Sequence, residues 1–231
     1  LIALYKKTPV GVVGCLISGI FVGAFYILGA IYAHQMKLTL EQTSLFMFFG
    51  VFGGMAIQLP IGRLSDHFDR RIVMLFIGGF LFLIVPWVHF FIMSGTGMLI
   101  IGALLIGFGT FILYPISVSH VNDMIADDER VEASGMLILL QSIGMIAGPI
   151  VISFFMQEFG PISFVGAYAV AAGVFIVFCL KHIIFKDINY VSPSPTYPIP
   201  LDTTRIFHKI SEDETLMDKA KELIAPVERK L

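Results

Sequence analysis

A short charged segment, residues 62–71, separates two long apolar stretches and carries side chains that can make and break ion pairs. Its sequence is Gly-Arg-Leu-Ser-Asp-His-Phe-Asp-Arg-Arg. Asp66 can accept hydrogen bonds from a helix N-terminus or from an arginine, and Arg70 and Arg71 begin the next predicted helix. Fixed charges at such a boundary form a latch that can hold two helices together and release them. An ordinary cation-rich turn at a membrane boundary would need only the two arginines. It does not explain the order of the other residues in this segment.

A second group of charges, between the fourth and fifth apolar stretches, offers partners for these arginines. The candidates are Asp123, Glu129, Arg130 and Glu132. Asp123 also clusters with His120 and Asn122 at the end of the fourth stretch. We expect the acidic members to pair with Arg70 or Arg71, because opposite charges at a membrane boundary attract most strongly where water is partly excluded.

The composition is that of a chain whose solvent is lipid. Of 231 residues, 57% are hydrophobic and only 14% are charged, and the mean hydropathy is +0.88. A formal net charge of −2 argues against a nucleic-acid partner, since there is no basic excess to neutralise phosphates. Cys15 and Cys179 lie in apolar stretches far apart, where we expect them to act as small packing residues. No metal site or cofactor is expected.

Six apolar stretches are long enough to cross a bilayer. They cover about 9–33, 42–62, 72–93, 97–119, 134–156 and 162–180. Each has about the 20 residues that a helix, rising ~1.5 Å per residue, needs to span the hydrocarbon core. Backbone groups find no water there, so the stretches must be helices. The sequence therefore predicts an all-α integral membrane protein with a six-helix region at 1–186.

The cations predict the orientation of these spans. One side holds Lys6, Lys7, Arg63, Arg70, Arg71, Arg130, Lys181 and Lys186, and the other holds Lys37. Because cytoplasmic loops carry the excess of lysine and arginine, both termini and residues 62–71 are expected in the cytoplasm, most simply at a bacterial inner membrane.

The order Gly-x-Leu-small-Asp-x-x-x-Arg-Arg resembles the signature loop of the major facilitator superfamily, which joins the second and third helices of each six-helix half. The matching residues are Gly62, Leu64, Ser65, Asp66, Arg70 and Arg71. Two positions depart from the family pattern. His67 stands where the family usually has arginine or lysine. Asp69 stands where it usually has glycine, at a turn position that often favours positive φ.

A second resemblance lies at residues 127–135, where the family often has an acidic-Arg-x-x-Ala-x-Gly approach to a GxxxGP helix. Gly144 and Gly148 lie one turn apart and permit close helix approach, and Pro149 frees a carbonyl and favours a bend. The GxxxG spacing recurs at Gly19 and Gly23 and at Gly50 and Gly54. For all of these glycines simple packing is the expected role.

The resemblance implies a twelve-span transporter of which six spans are visible. A cytoplasmic start and a long polar tail fit the C-terminal six-helix half, with the N-terminal half missing from this sequence. The implied function is transport of a small-molecule substrate across the lipid bilayer by alternating access. The alternatives are a self-dimerising half-transporter, a degenerate half, or a non-transporting membrane adaptor.

In such a half the first, second, fourth and fifth spans are implied to face the central cavity, and the third and sixth to face lipid. The polar candidates for contact with cargo are Tyr26, Gln58, Tyr114, Ser117, Gln141 and Ser142. For each, an interhelical hydrogen bond is an equally open reading. Tyr114 and Pro115 form the more suggestive pair, since proline can supply a bend for gating.

The hydrocarbon part of every span lacks aspartate, glutamate, lysine and arginine. Proton relays and ion sites usually need such a group, so a coupling carboxylate is expected in the missing half, unless transport is not proton-driven. His89, in the third span, is expected to be a packing residue. No nucleophile motif, metal cluster or acid pair is present at membrane depth, so we do not expect an enzyme.

The C-terminal region, 187–231, is expected in the cytoplasm. Residues 192–200 are rich in proline and predict an extended linker. Ser211 and Glu214 form a capping box ahead of helically spaced apolar residues, which predicts a short amphipathic helix. The apolar positions are Leu216, Ala220, Leu223 and Ile224.

Overall fold

The computed structural model describes residues 1–184, which form helices joined by short turns. In chain order these are α1 (Ile2–Lys7), α2 (Pro9–Gly23), a π-helical segment (Ala24–Leu28), α3 (Gly29–Gln35), α4 (Leu40–His67), α5 (Arg70–Met93), α6 (Thr96–Asn122), a 3-10 turn (Asp127–Glu129), α7 (Arg130–Phe159) and α8 (Ile162–Ile184). The linker and amphipathic helix predicted at 187–231 lie outside the described residues.

Six spans are long and apolar enough to cross a membrane, by length and composition. The first is continuous from Pro9 to Gln35 and includes α2, the π-helical segment and α3. The other five are α4, α5, α6, α7 with its preceding turn, and α8. The described residues contain no strand. The prediction of an all-α membrane fold with six spans is therefore confirmed.

The helices continue past the apolar stretches from which they were predicted. Residues 62–67, expected in a loop, extend α4, and only Phe68 and Asp69 separate it from α5. Hydropathy marks where lipid contact ends, whereas a helix can continue into water with polar side chains. The start of α4 is fixed by a capping box, in which Gln42 N donates to Thr39 Oγ1 (3.2 Å) and Thr39 N donates to Gln42 Oε1 (3.0 Å).

Helices α2 and α6 form the centre of the bundle. On one side α5 and α8 cover them: α5 packs on α6 and α8, and α8 also packs on α2 and α7. The two remaining helices flank the centre, α4 against α6 and α7 against α2. Among the described residues, no helix covers the side formed by α2, α4, α6 and α7, away from α5 and α8. We call it the open face.

Glycines bring the flanking helices into backbone contact with the central ones. A methyl group added to Gly144 of α7 would overlap the carbonyl oxygen of Leu16, and one added to Gly19 of α2 would overlap that of Gln141. On the other flank, a methyl group on Gly107 of α6 would overlap the carbonyl oxygen of Gly50. Both interfaces have the close approach that small residues permit between membrane helices.

Aromatic side chains join the centre to the covering helices. Tyr168 of α8 stacks on Phe21 at 5.0 Å between ring centroids, and its hydroxyl donates to the Phe21 carbonyl oxygen at 2.6 Å. Near the other end of the first span, the Tyr32 hydroxyl lies 3.2 Å from Nδ1 of His89. His89 thus contacts α3 from α5 as a packing residue with a polar partner.

Candidate functional site

The charged segment is organised around one guanidinium group. Arg70, at the start of α5, donates through Nη1 to the hydroxyl of Ser65 at 2.7 Å and through Nη2 to Asp66 Oδ1 at 2.8 Å. Its Nε donates to Oδ2 of Asp123, the residue that follows α6. We call these four residues the Arg70 cluster. It joins the ends of α4, α5 and α6 on one side of the bundle, because an arginine presents several donors in a fixed planar arrangement.

The members of the cluster differ in exposure. Ser65 is buried, and the Arg70 side chain is 16% exposed. The Asp66 side chain is 58% exposed, so one face of its carboxylate remains open to a further partner. The other motif residues do not contact the guanidinium: Leu64 is exposed, and a methyl group added to Gly62 would meet no described atom within 4 Å.

Asp69 is the N-cap of α5. Its Oδ1 accepts a hydrogen bond from the backbone N–H of Arg71 at 2.9 Å, and its φ is −58°. The expectation that this family turn position takes a positive φ is therefore wrong for this chain. Aspartate is among the best N-cap residues, and the cap requires an ordinary negative φ.

Arg71 lies apart from the cluster in a buried polar group. It is 9% exposed, and His120, packed against Gly11 of α2, is 4% exposed. Oδ1 of Asn122 is buried and has no hydrogen-bond partner in the described part of the chain. Of the polar residues expected at this end of α6, only Asp123 forms an ion pair with Arg70.

The remaining charged candidates pair elsewhere. Glu129 accepts two hydrogen bonds from Nζ of Lys7, at 2.7 and 2.8 Å, which ties the end of α1 to the 3-10 turn before α7. Arg130 pairs with Asp127 one turn earlier, at 2.9 Å. Glu132 is exposed and forms no ion pair within residues 1–184. The structure therefore does not bring Glu129, Arg130 or Glu132 to the arginines of the motif. Sequence reasoning missed the Lys7 contact, although both side chains were placed on the same side of the membrane.

The six polar candidates for cargo contact differ in how exposed their side chains are. Tyr26 and Gln58 are exposed, and Tyr114 and Gln141 are partly buried. Ser117 is fully buried, and its hydroxyl donates to the Leu113 carbonyl oxygen at 2.7 Å. It packs beneath Gly14 of α2, so it does not reach the open face. Ser142 is exposed, but its hydroxyl donates to the carbonyl oxygen of Ile138 at 2.8 Å.

The π-helical segment positions Tyr26. Phe21 stacks on Tyr168 of α8, whereas Tyr26, five residues further along and inside the π-helical segment, is half exposed. Its neighbour Phe25 is fully buried against Gly50 of α4. Both rings meet Phe111 of α6 edge-on, at 5.6 and 5.5 Å between centroids. The sequence predicted neither the π-helical segment nor the contact of Phe111 with Phe25 and Tyr26.

A cavity lies between α4 and α6, next to the Arg70 cluster. Its volume is about 250 Å³. Residues from one face of each helix line it: Gln58, Gly62, Asp66, Arg70, Pro115 and Ser119 among them. Pro115 and Pro149 lie inside α6 and α7, which run through them without interruption. The cavity thus borders Asp66 and Arg70 of the cluster.

Six spans, an uncovered four-helix face and a charged cluster at one membrane boundary define a multi-pass membrane protein built on a six-helix unit. The chain belongs to the Major Facilitator Superfamily, whose family model matches residues 10–210.

Curated relatives agree with this assignment. Over 159 residues the chain is 28% identical to the "Uncharacterized MFS-type transporter YcaD" of Escherichia fergusonii, a match that covers 67% of this chain and 39% of that protein. Proteins of the same name from Escherichia coli O139:H28 and from Escherichia coli K12 match with the same identity and coverage. The matched part of the chain thus spans about two fifths of the length of these relatives.

Proposed function

We propose that this chain is the C-terminal half of a secondary transporter that moves a small solute by alternating access. The observation that carries the proposal is the open face with the Arg70 cluster at its cytoplasmic end. The protein acts as a transporter and not as an enzyme. It resides in a bacterial inner membrane with both termini in the cytoplasm, as the distribution of lysine and arginine indicates.

The open face supports a partner half. Large apolar side chains are exposed on α4 and α7, including Phe52 and Ile146 at 50% and 66%. A second six-helix unit facing them would enclose a cavity at the midplane, which is where substrates of such folds bind. About three fifths of the length of the curated relatives lies outside the match, which leaves room for that unit.

The Arg70 cluster supports the latch. Arg70 holds Asp66 through one carboxylate oxygen and leaves the other side of the carboxylate exposed. In the state closed to the cytoplasm, Asp66 accepts hydrogen bonds from a helix N-terminus of the other half, where a negative charge is favoured. When the halves rock apart, that contact breaks, while Ser65 and Asp123 keep Arg70 in place.

The test is side-specific labelling of the full-length protein in proteoliposomes. A cysteine replaces Ser142, which is exposed on α7, in a background where the buried Cys15 and Cys179 are alanine. We expect membrane-impermeant maleimides to label this cysteine from both sides, with solute shifting the balance between the two. Labelling from one side under every condition would exclude alternating access.

A matched control separates access from unfolding. Ser94, at the end of α5, is exposed in the turn that leads to α6, on the side opposite the Arg70 cluster. A cysteine there should react from one side only. Labelling of both positions from both sides would indicate leaky vesicles or disordered protein rather than transport.

A further inference from the structure

Two tyrosines of the six spans have hydroxyl groups without a hydrogen-bond partner in the described part of the chain. Tyr26 and Tyr114 make no hydrogen bond with another residue of 1–184. The fully buried Tyr32 and Tyr168 each bond to a residue of a different helix. At membrane depth bulk water is absent, and polar groups tend to find partners. The two free hydroxyls are therefore available to a ligand.

The ring of Tyr26 packs against two other aromatic rings, which restrict its position. Phe111 supports it edge-on, with 65° between the ring planes, and Phe25 does the same at 75°. Phe25 is itself fixed, because it fills the space over Gly50. Tyr26 nevertheless keeps 50% of its surface exposed. A preorganised aromatic surface of this kind binds another ring with little loss of side-chain freedom.

The same surface lacks the charge that an ionic ligand would need. Within the described spans, no aspartate, glutamate, lysine or arginine lies between residues 9 and 35 or between Thr96 and Asn122, the helices that carry Tyr26 and Phe111. The nearest acids at the cytoplasmic end, Asp66 and Asp123, are engaged by Arg70. A charged group placed against Tyr26 would stay uncompensated by this half, which is costly at membrane depth.

The serine hydroxyls of this half add little hydrogen-bonding capacity. Those of Ser117 and Ser142 donate to carbonyl oxygens of their own helices. A polyol placed against Tyr26 and Phe111 would meet aromatic rings rather than hydrogen-bonding groups, and each unpaired buried group carries a desolvation penalty. A flat ring with one or two acceptors would leave no polar group of its own unpaired.

We infer that Tyr26, supported by Phe111, binds an uncharged aromatic ring of the cargo, with the hydroxyl of Tyr26 donating to an acceptor beside that ring. The inference rests on the proposed transport function and names the substrate class of its cavity. Phe111 acts by supporting the ring of Tyr26, and Tyr26 contacts the cargo.

Four small probes of matched size separate ring, charge and shape. Benzamide is uncharged and aromatic, and cyclohexanecarboxamide is its saturated counterpart. Benzoate and benzylamine keep the ring and add a negative or a positive charge. Saturation-transfer NMR on the purified full-length protein detects weak binding of each. We expect benzamide to bind at least about fivefold more tightly than the other three, a difference typical of an aromatic contact.

Three variants connect the binding to the named residues. Tyr26→Leu should weaken benzamide binding about tenfold, and Tyr26→Phe, which keeps the ring, only about threefold. The control is Phe76→Leu, because Phe76 is 63% exposed on the covering helix α5. That change should leave binding unaltered. Thermal unfolding of each variant confirms that the protein remains folded.

Equal binding of benzamide and cyclohexanecarboxamide would overturn the inference, as would tighter binding of benzoate or benzylamine, or binding unchanged by Tyr26→Leu. These results leave alternating labelling at Ser142 intact, so transport would stand with another substrate class. The reverse result, ring-selective binding with labelling from one side only, would refute the transport proposal.

Discussion

Arg70 and Asp123, separated by 53 positions in the sequence, form an ion pair that joins the start of α5 to the end of α6. The Arg70 side chain is 16% exposed and that of Asp123 is 35% exposed. The pair is therefore shielded from solvent more than an ordinary surface pair. Since Arg70 also bonds to Ser65 and Asp66, its removal leaves three polar groups without a partner.

Replacing Arg70 by lysine tests whether the planar arrangement of donors on the guanidinium group stabilises the protein. Arg70→Lys keeps the charge, but an ammonium group cannot reach all three acceptors in the planar arrangement. We expect the full-length protein to lose about 1.5–3 kcal/mol of stability, the range for hydrogen bonds to charged groups, measured by thermal unfolding in detergent. The control is Lys7→Met, which breaks the exposed pair with Glu129 and should leave the stability nearly unchanged. Equal effects of the two changes would contradict the special role of the cluster.

Asp66→Asn tests the latch separately from stability. The amide keeps the shape of the carboxylate and loses its charge, so Arg70 retains its bonds to Ser65 and Asp123. We expect normal membrane insertion and solute turnover reduced about tenfold, a change of ~1.4 kcal/mol in the barrier. Asp127→Asn is the matched control, because Asp127 is exposed on the same side and pairs only with Arg130. Unchanged turnover in Asp66→Asn would exclude the latch.

The N-cap of α5 predicts how stability changes when residue 69 is replaced by glycine, the residue that is usual in the family. Asp69→Ala removes the acceptor for the Arg71 N–H and should cost about 1 kcal/mol of stability. Asp69→Gly should cost only a few tenths of that amount, because glycine is tolerated at N-caps. Urea or thermal unfolding of both variants gives the order. A larger loss for glycine than for alanine would show that the side-chain cap is not the stabilising feature.

The interface of α2 and α7 predicts a strong dependence on glycine. Gly144→Ala places a methyl group against the backbone of Leu16 and Ile20, and we expect it to cost about 1–3 kcal/mol through overpacking. Gly135→Ala, in the same helix, meets no described atom within 4 Å. It should be neutral or stabilise by about 0.5–1 kcal/mol, since alanine is the better helix former. Similar melting temperatures for the two variants would contradict the close approach.

The sequence predicted which stretches form helices more accurately than it predicted the residues at which those helices end. Apolar length alone identified all six spans, because lipid requires helices of about that length. It placed the end of the second span near Gly62, whereas α4 continues to His67. Apolar length reports where lipid contact stops, and helix ends depend on caps such as Asp69 that lie outside the hydrocarbon.

The candidate site was predictable in part. The family motif identified Arg70 and its neighbours, and the topology named Asp123 as a partner. The burial of Ser117 and the pairing of Glu129 with Lys7 depend on which faces of α6 and α7 meet other helices. The π-helical segment at Ala24–Leu28 changes the register of the first span by tertiary packing, and the apolar residues there carry no local signal for it.

The contact between Gly19 and Gly144 also constrains the order in which the protein is made. The first span leaves the ribosome long before the fifth, so the glycine surface of α2 must face lipid or another chain until α7 is inserted. A nascent chain that stops before Arg130 therefore holds a central helix without its closest neighbour. The α2–α7 interface can therefore form only once the fifth span is inserted, and the bundle is complete only when α8, which packs on α2, α5 and α7, follows it.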